Sequence, residues 1–394
     1  MTGTAVHALP AVDLSEQALA AVTAEVAETA AEYDLSGAVP VRGLEVAHRA
    51  GLLTATVGQR YGGAGAGPRE TARVLTALGE GDPSVALIAA NTLMAHASQA
   101  ANAHWPTAFY DDVLARSVRG PAPVNAIRAE PELGAPARGG LPKTTVRRTP
   151  SGWILNGHKA YATGGTALAY HVVWAVADDS DGDPAAPRVG HVIVPGDLPG
   201  ITWVDTWDHL GLRASNTHDV VYEDVGLPAD AFVEIPRGAD GVYRDPAAAA
   251  GPGSFGHPAL YLGVAKAARR AFADFARSRV PAGLGRPIAT TERIQAVAGE
   301  IDLQIAQAET LLHGALLRLE AGDPTVTPQL SVLKVAIARS VVSAVQTAVA
   351  ALGNPALSRR NSLERHLRDV LCVRVHPPQE DTALVAAGKR VLTG

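Results

Sequence analysis

Residues 209–228 read HLGLRASNTHDVVYEDVGLP, a turn rich in Gly, Ser and Asn that runs into the β-branched and aromatic string DVVYEDV. Alternating Val, Tyr and Val with polar residues between them predicts a half-buried strand, and the flanking Gly and Pro bound it. Working outward, GWILNG (152–157), HVVWAVA (171–177), VGHVIVP (189–195) and GITWV (200–204) have the same texture. Residues 121–235 therefore form an all-β unit. On both sides the period changes from two to between three and four. Upstream, RETARVLTALGE (69–80) and SVALIAANTLMAHASQAANA (84–103) read as helices, as does the segment from Asp13 to Glu32, with Asp13 as candidate N-cap. Downstream, segments 259–279, 291–323 and 328–352 are long apolar-periodic helices, and SLERHLRDVLCVRV (362–375) reads as a fourth. The order predicts an α+β chain: a helical unit at 1–120, the β unit at 121–235 and a four-helix bundle within 236–394. The Pro/Gly/Ala-rich stretch at 236–256 reads as an exposed loop or lid.

The chain has 394 residues and a net charge of −5, and no long basic run, so neither nucleic acid nor an anionic membrane surface is indicated as a partner. The single cysteine, Cys372, closes no intramolecular disulfide and points to a cytoplasmic setting. Charges interrupt the apolar runs, so no membrane span is expected, and the N-terminal residues do not read as a signal peptide. HExxH, CxxC, Walker-type and GxSxG strings are absent, which leaves hydrolase, metal and nucleoside-triphosphate readings without support and predicts no metal site.

Four strings fall in the order of the landmarks of the acyl-CoA dehydrogenase superfamily. Tyr61-Gly62-Gly63-Ala64-Gly65 resembles its YGGxG element, and residues 129–134, AEPELG, resemble its TEPxxG flavin loop. GHKAYATGG (157–165) resembles GxKxxITNG, and 209–228 resembles MGxRxSxTxxVxFxxVxVP. The resemblance implies a flavin between three domains, a homotetramer or dimer, and a small-molecule or acyl-thioester substrate. It places Tyr161 against the isoalloxazine and Thr163 at its N5 edge, although Tyr and Thr alternating in a strand also serve packing. Gly134 would let the backbone approach the cofactor. Ala129 and Ala135 stand where relatives have Thr and Ser, so two hydroxyl contacts are missing and backbone N–H groups replace them. Arg279 matches an arginine that reaches the flavin pyrophosphate of a neighbouring subunit; a solvated helix end is the alternative. Further departures, VPAGLGRP (280–287) and LGNPALS (352–358), weaken the grip on the ADP half, so the cofactor is FAD or FMN.

The sharpest departure concerns the base. Relatives place a glutamate eight residues after an Arg-Asp pair; counting from Asp369 reaches Pro377. Glu380 or Asp381 serves only if the backbone shifts by about a turn, and the alternative position before Gly263 falls near Ser254. Instead, residues 363–378 resemble the C-terminal region of flavin monooxygenases of the dibenzothiophene monooxygenase type, with His376 as the matching imidazole. A group with an ordinary pKa of about 6.5 exchanges protons at neutral pH. His376 as a helix-end cap before Pro377 is the competing reading. His96 is a further candidate for the substrate pocket, or a satisfied core histidine. Cys372 reads as core, and Trp203, Trp207 and His209 as packing or as a cavity wall. Three functions follow: a monooxygenase-like reaction fed by a flavin reductase; α,β-dehydrogenation of an acyl thioester with a relocated base and an electron-transfer partner; or a scaffold that kept only the fold.

Overall fold

The computed structural model describes residues 7–133, 141–178, 187–239, 241, 243 and 256–393. Five helices come first: α1 (Glu16–Ser36), α2 (Val41–Arg49), α3 (Pro68–Gly81), α4 (Pro83–Ala101) and α5 (Thr107–Arg119). Ser15, not Asp13, caps α1: its side chain accepts from the Ala18 amide, while the Asp13 carboxylate accepts from Ser15 N at 2.8 Å. The residue that can reach the third helical amide is the one directly before the helix, and Asp13 is two positions too early. Asp82 ends α3 and caps α4 through the Ser84 amide, with Pro83 at the first helical position, so the two helices meet without a loop. Nearly every residue of α4 from Pro83 to Leu93 is buried, which makes it the central rod of the helical part.

Eight strands follow: β1 (Val124–Ile127), β2 (Thr145–Thr149), β3 (Gly152–Ala162), β4 (Tyr170–Asp178), β5 (Val189–Pro195), β6 (Ile201–Val204), β7 (His218–Leu227) and β8 (Phe232–Glu234). They form one sheet in the order β6-β7-β3-β2-β4-β5-β8, and β1 pairs with β4. β7, the strand predicted from DVVYEDV, pairs antiparallel with β3 from Trp153 opposite Leu227 to Ala162 opposite His218, so the two ring-side motifs lie on adjacent strands.

The chain then returns to helix: α6 (Gly256–Ser278), α7 (Glu292–Glu320), α8 (Leu330–Leu352), α9 (Leu363–Leu371) and α10 (Glu380–Thr393). The expected fourth bundle helix contributes only nine residues before tightening to a 3-10 turn at Cys372–Arg374. Pro377 and Pro378, which lack amide donors, prevent its continuation. Most of the 236–256 connection (240, 242 and 244–255) lies outside the described residues, as does Ser254.

Two apolar cores result. One packs the sheet against α5, and the other fuses α1–α4 with α6–α9. The fusion depends on a close approach of α3 and α6: a Cβ on Gly79 would meet Leu260 O at 2.2 Å, and one on Gly263 would meet Thr76 O at 2.2 Å. Thr76 Oγ1 donates to Ala259 O at the same crossing. The expectation of no membrane-length apolar segment meets one exception. Thr327–Leu352 is long and apolar enough by composition, with a mean hydropathy of 1.7. It contains the core helix α8, which packs against α6, α7 and α9.

Candidate functional site

The strand side of the site rests on an ion pair. Lys159 Nζ, on β3, donates to Glu130 Oε1 at 2.8 Å, and the side chains are 0% and 4% exposed. Glu130 also accepts from Thr144 N (3.0 Å), Thr144 Oγ1 (2.7 Å) and Lys143 N (2.8 Å). Burial alone would raise the Glu130 pKa, but these hydrogen bonds and the Lys159 charge hold it below the ordinary carboxylate value. Both residues stand inside strings that sequence reading ties to flavin, yet they face the protein interior. They fix the 129–130 segment to β3, where Ala160 N donates to Ala129 O at 2.9 Å.

From that base β3 ends in a turn that presents Tyr161 and Thr163. Tyr161 adopts φ +59°, a left-handed conformation uncommon outside glycine, and its side chain is 59% exposed. Thr163 is buried, and a hydroxyl chain stands behind it: Ser215 Oγ lies 2.7 Å from Thr217 Oγ1, which donates to Thr163 Oγ1 at 3.0 Å. With the chain running outward, the Thr163 hydroxyl keeps its own proton for a further acceptor. Asn125 Nδ2 donates to Thr163 O at 3.1 Å and fixes the turn from β1.

The 209–217 turn that carries Ser215 and Thr217 is clamped by three segments. Leu212 and Asn216 have φ +52° and +50°. Leu212 N donates to Asp369 Oδ1 at 2.7 Å, and burial raises that carboxyl to about 7. Arg368 grips Asp34 of α1 with both terminal nitrogens (2.9 and 2.6 Å) and donates to Leu210 O, while Arg213 Nε reaches Asp34 O. Gly211 is required here, since a Cβ would meet Arg368 O at 2.4 Å. Trp207 stacks on His209 at 3.6 Å and donates to Leu212 O, so these rings pack the turn.

The Arg-Asp pair that holds this turn lies seven residues before His376. His376 Nε2 lies 2.8 Å from Tyr261 Oη, and its ring stacks on His257 at 4.4 Å and 14°. Tyr261 is fully buried, and burial drives its pKa well above 10, so its hydroxyl keeps its proton and shares a hydrogen bond with Nε2. Nδ1 of His376 bonds to no described residue. Burial, then His257 and Lys334, push His376 well below 6.5. This corrects the expectation of an ordinary histidine: the imidazole is neutral near pH 7. His257 and Tyr261 were not singled out from sequence. Their signal is spacing, since they sit four apart on one face at the start of α6.

No hydrogen bond or ring contact joins His376 to Tyr161 or Thr163 among the described residues; α4 bridges the two halves. Ile88 approaches Gly164, Thr92 Oγ1 accepts from Val124 N of β1, and Leu93, Met94 and Ala97 line a cavity of about 90 Å³. Leu75 of α3 and Gly256, the residue before His257, complete its apolar wall.

Family models for the acyl-CoA dehydrogenase N-terminal, middle and C-terminal domains match residues 12–107, 126–225 and 255–378. The chain belongs to the acyl-CoA dehydrogenase family. Bacillus subtilis (strain 168) holds a relative named "Putative acyl-CoA dehydrogenase YdbM", 30% identical over 366 residues, covering 91% of this chain and 92% of that one. L-evernosamine nitrososynthase of Micromonospora sp. is 29% identical over 381 residues, covering 89% and 83%. TdsC from Paenibacillus sp. A11-2, solved with FMN and indole, superposes with a TM-score of 0.81 at 20% identity, covering 96% and 97%.

The remaining residues marked by the acyl-CoA dehydrogenase resemblance are scattered. Arg279 is exposed just past α6 and makes no side-chain hydrogen bond among the described residues. Gly134 and Ala135 lie outside the described residues. His96 is buried, its Nδ1 3.0 Å from Tyr110 Oη and its Nε2 without a partner; burial lowers it to about 4. Cys372 is half-buried, and burial pushes its thiol up to about 12.

Proposed function

We propose that this acyl-CoA dehydrogenase family member is a flavin-dependent oxidoreductase of the monooxygenase type, in which His376 replaces the carboxylate of the dehydrogenases. The chemistry of the His376 corner supports this most directly. Pro377 occupies the counted position of the base, Glu380 is engaged by Arg339 at 3.2 and 2.5 Å on α10, and Asp381 is exposed. The titratable groups gathered there are His257, Tyr261, Lys334 and His376. An imidazole whose conjugate acid is this strong is a weak base and accepts a carbon-bound proton poorly. With Nε2 engaged by Tyr261, the neutral ring keeps Nδ1 for a further partner.

The residues present fit a flavin. Tyr161 offers an exposed aromatic face, Thr163 an uncommitted hydroxyl proton, and the 129–130 backbone is held firmly beside them. Were the flavin FAD, Arg279 of a second copy would reach its pyrophosphate in a homo-oligomer. When bound, flavin supplies two-electron chemistry that this chain's side chains lack. The hydroxyl chain and His376 hold protons at defined atoms, and the α4 cavity excludes water from a small apolar part of a small-molecule substrate. The weakened ADP elements, together with the FMN of TdsC, favour FMN, and a separate reductase would deliver reducing equivalents.

Acyl-thioester dehydrogenation with an electron-transfer partner is the second reading, favoured by the relationship to YdbM and by the apolar cavity. Anaerobic titration of the FMN- or FAD-loaded protein with acyl-CoAs of short to long chain distinguishes them. Retained yellow colour is expected; bleaching would establish dehydrogenation instead. No binding of either flavin would leave only the scaffold reading.

A further inference from the structure

We infer that Lys334 is a positioning residue for His376: it pins the segment after α9 by its carbonyls and so seats the imidazole against Tyr261 and His257. The inference rests on the reading of His376 given above. Lys334 lies on α8 among Val, Ile, Leu and Ala and is 3% exposed. An ammonium has three N–H donors and no acceptor. Val373 O (3.0 Å), His376 O (2.9 Å) and Pro378 O (3.2 Å) take all three.

Among the described residues no carboxylate is bonded to this cation, and Glu380 is engaged by Arg339. Burying a charge against dipoles alone is costly, and a hydrocarbon side chain would pack there at lower cost. The carbonyls account for the lysine. Val373 belongs to the 3-10 turn that ends α9, where the last carbonyls have no intrahelical donor. Pro377 and Pro378 bring no amide to answer them. A positive charge also suits the negative end of the helix.

His376 is thereby held at both ends. Lys334 fixes its carbonyl, while Tyr261 and His257 fix its ring. Without the ammonium, His376 would keep its two ring contacts but lose the hold on its own carbonyl, in a segment whose neighbour Val375 is exposed and tied only through Cys372 O and Gln379 Nε2 among the described residues.

The test is carbethoxylation of the full-length protein by diethyl pyrocarbonate, followed at each histidine by peptide mass spectrometry. Lys334→Met is expected to raise the rate at His376 severalfold while leaving exposed His158 and buried His171 unchanged. Lys334→Arg, which keeps charge and donors, is expected to fall between Met and wild type. An unchanged rate at His376 in the Met variant overturns the inference. If that variant does not fold, Lys334→Gln carries the same measurement; failure of both to fold assigns the lysine to fold stability alone and also overturns it. This readout needs neither flavin nor turnover. A His376→Ala enzyme with unaltered flavin behaviour would therefore remove the functional reading while leaving the seating by Lys334 intact.

Discussion

Around Thr163 the buried polar groups find partners within the strands and turns beside them, and the one buried cation, Lys159, has a carboxylate. Around His376 the buried cation, Lys334, has only backbone carbonyls, and the rings that meet there come from α6 and the segment after α9, 115 residues apart. The strand side is a rigid floor that any flavin protein of this shape could use. Under the proposed function the helix side is where chemistry is chosen, because burial and the Lys334 cation keep the His376 imidazole neutral. Perturbing each side separately should therefore give different signatures.

The largest effect is expected on the floor. Glu130→Ala strands the Lys159 ammonium in the interior and should cost about 3–5 kcal/mol of stability, read from urea denaturation. A loss below about 1 kcal/mol would show that the pair does not anchor the strand side. Arg368→Met should cost less, about 2 kcal/mol, because Arg368 and Asp34 keep 18% and 17% of their side-chain surface exposed and screening weakens their pairing.

Acid sharpens the contrast. Burial lowers His96, His171 and His257 to about 4, His366 to about 3, and His376 well below 6.5. Each stays neutral in the native state while the unfolded chain takes up its proton, so its contribution is lost as pH falls from about 6.5 towards 4. Asp82 and Asp369, raised to about 6 and 7, act in the opposite sense, because the native state holds protons that the unfolded chain has released. Five histidines outweigh two aspartates, so the urea midpoint should drop between about pH 6.5 and 5. His257→Ala should flatten that slope, whereas Glu130→Gln should not. The smallest effect is that of Tyr261→Phe, which removes one neutral hydrogen bond worth about 1 kcal/mol.

The fold is legible because the hydrophobic period changes twice along the chain, and the motif that holds Tyr161 and Thr163 stands out because it is contiguous. Other features depend on tertiary placement. Asp13 looked like a cap, yet Ser15 has the right geometry. Glu130 and Lys159 stand in motif strings, but their burial shows only when β3 meets the 129–130 segment. Tyr261 looks like an ordinary aromatic in HPALYLG until the segment between α9 and α10 folds back over α6. The shift of His376 away from an ordinary histidine pKa arises from that burial, which no local pattern encodes.

The central claim is that a neutral His376, not a carboxylate, governs proton handling at the flavin. Stopped-flow absorbance of the reduced, FMN-loaded protein mixed with oxygen tests it without knowledge of the substrate. Wild type should return to the oxidised spectrum in two resolved phases and His376→Ala in one fast phase; identical traces for the two proteins would contradict the claim.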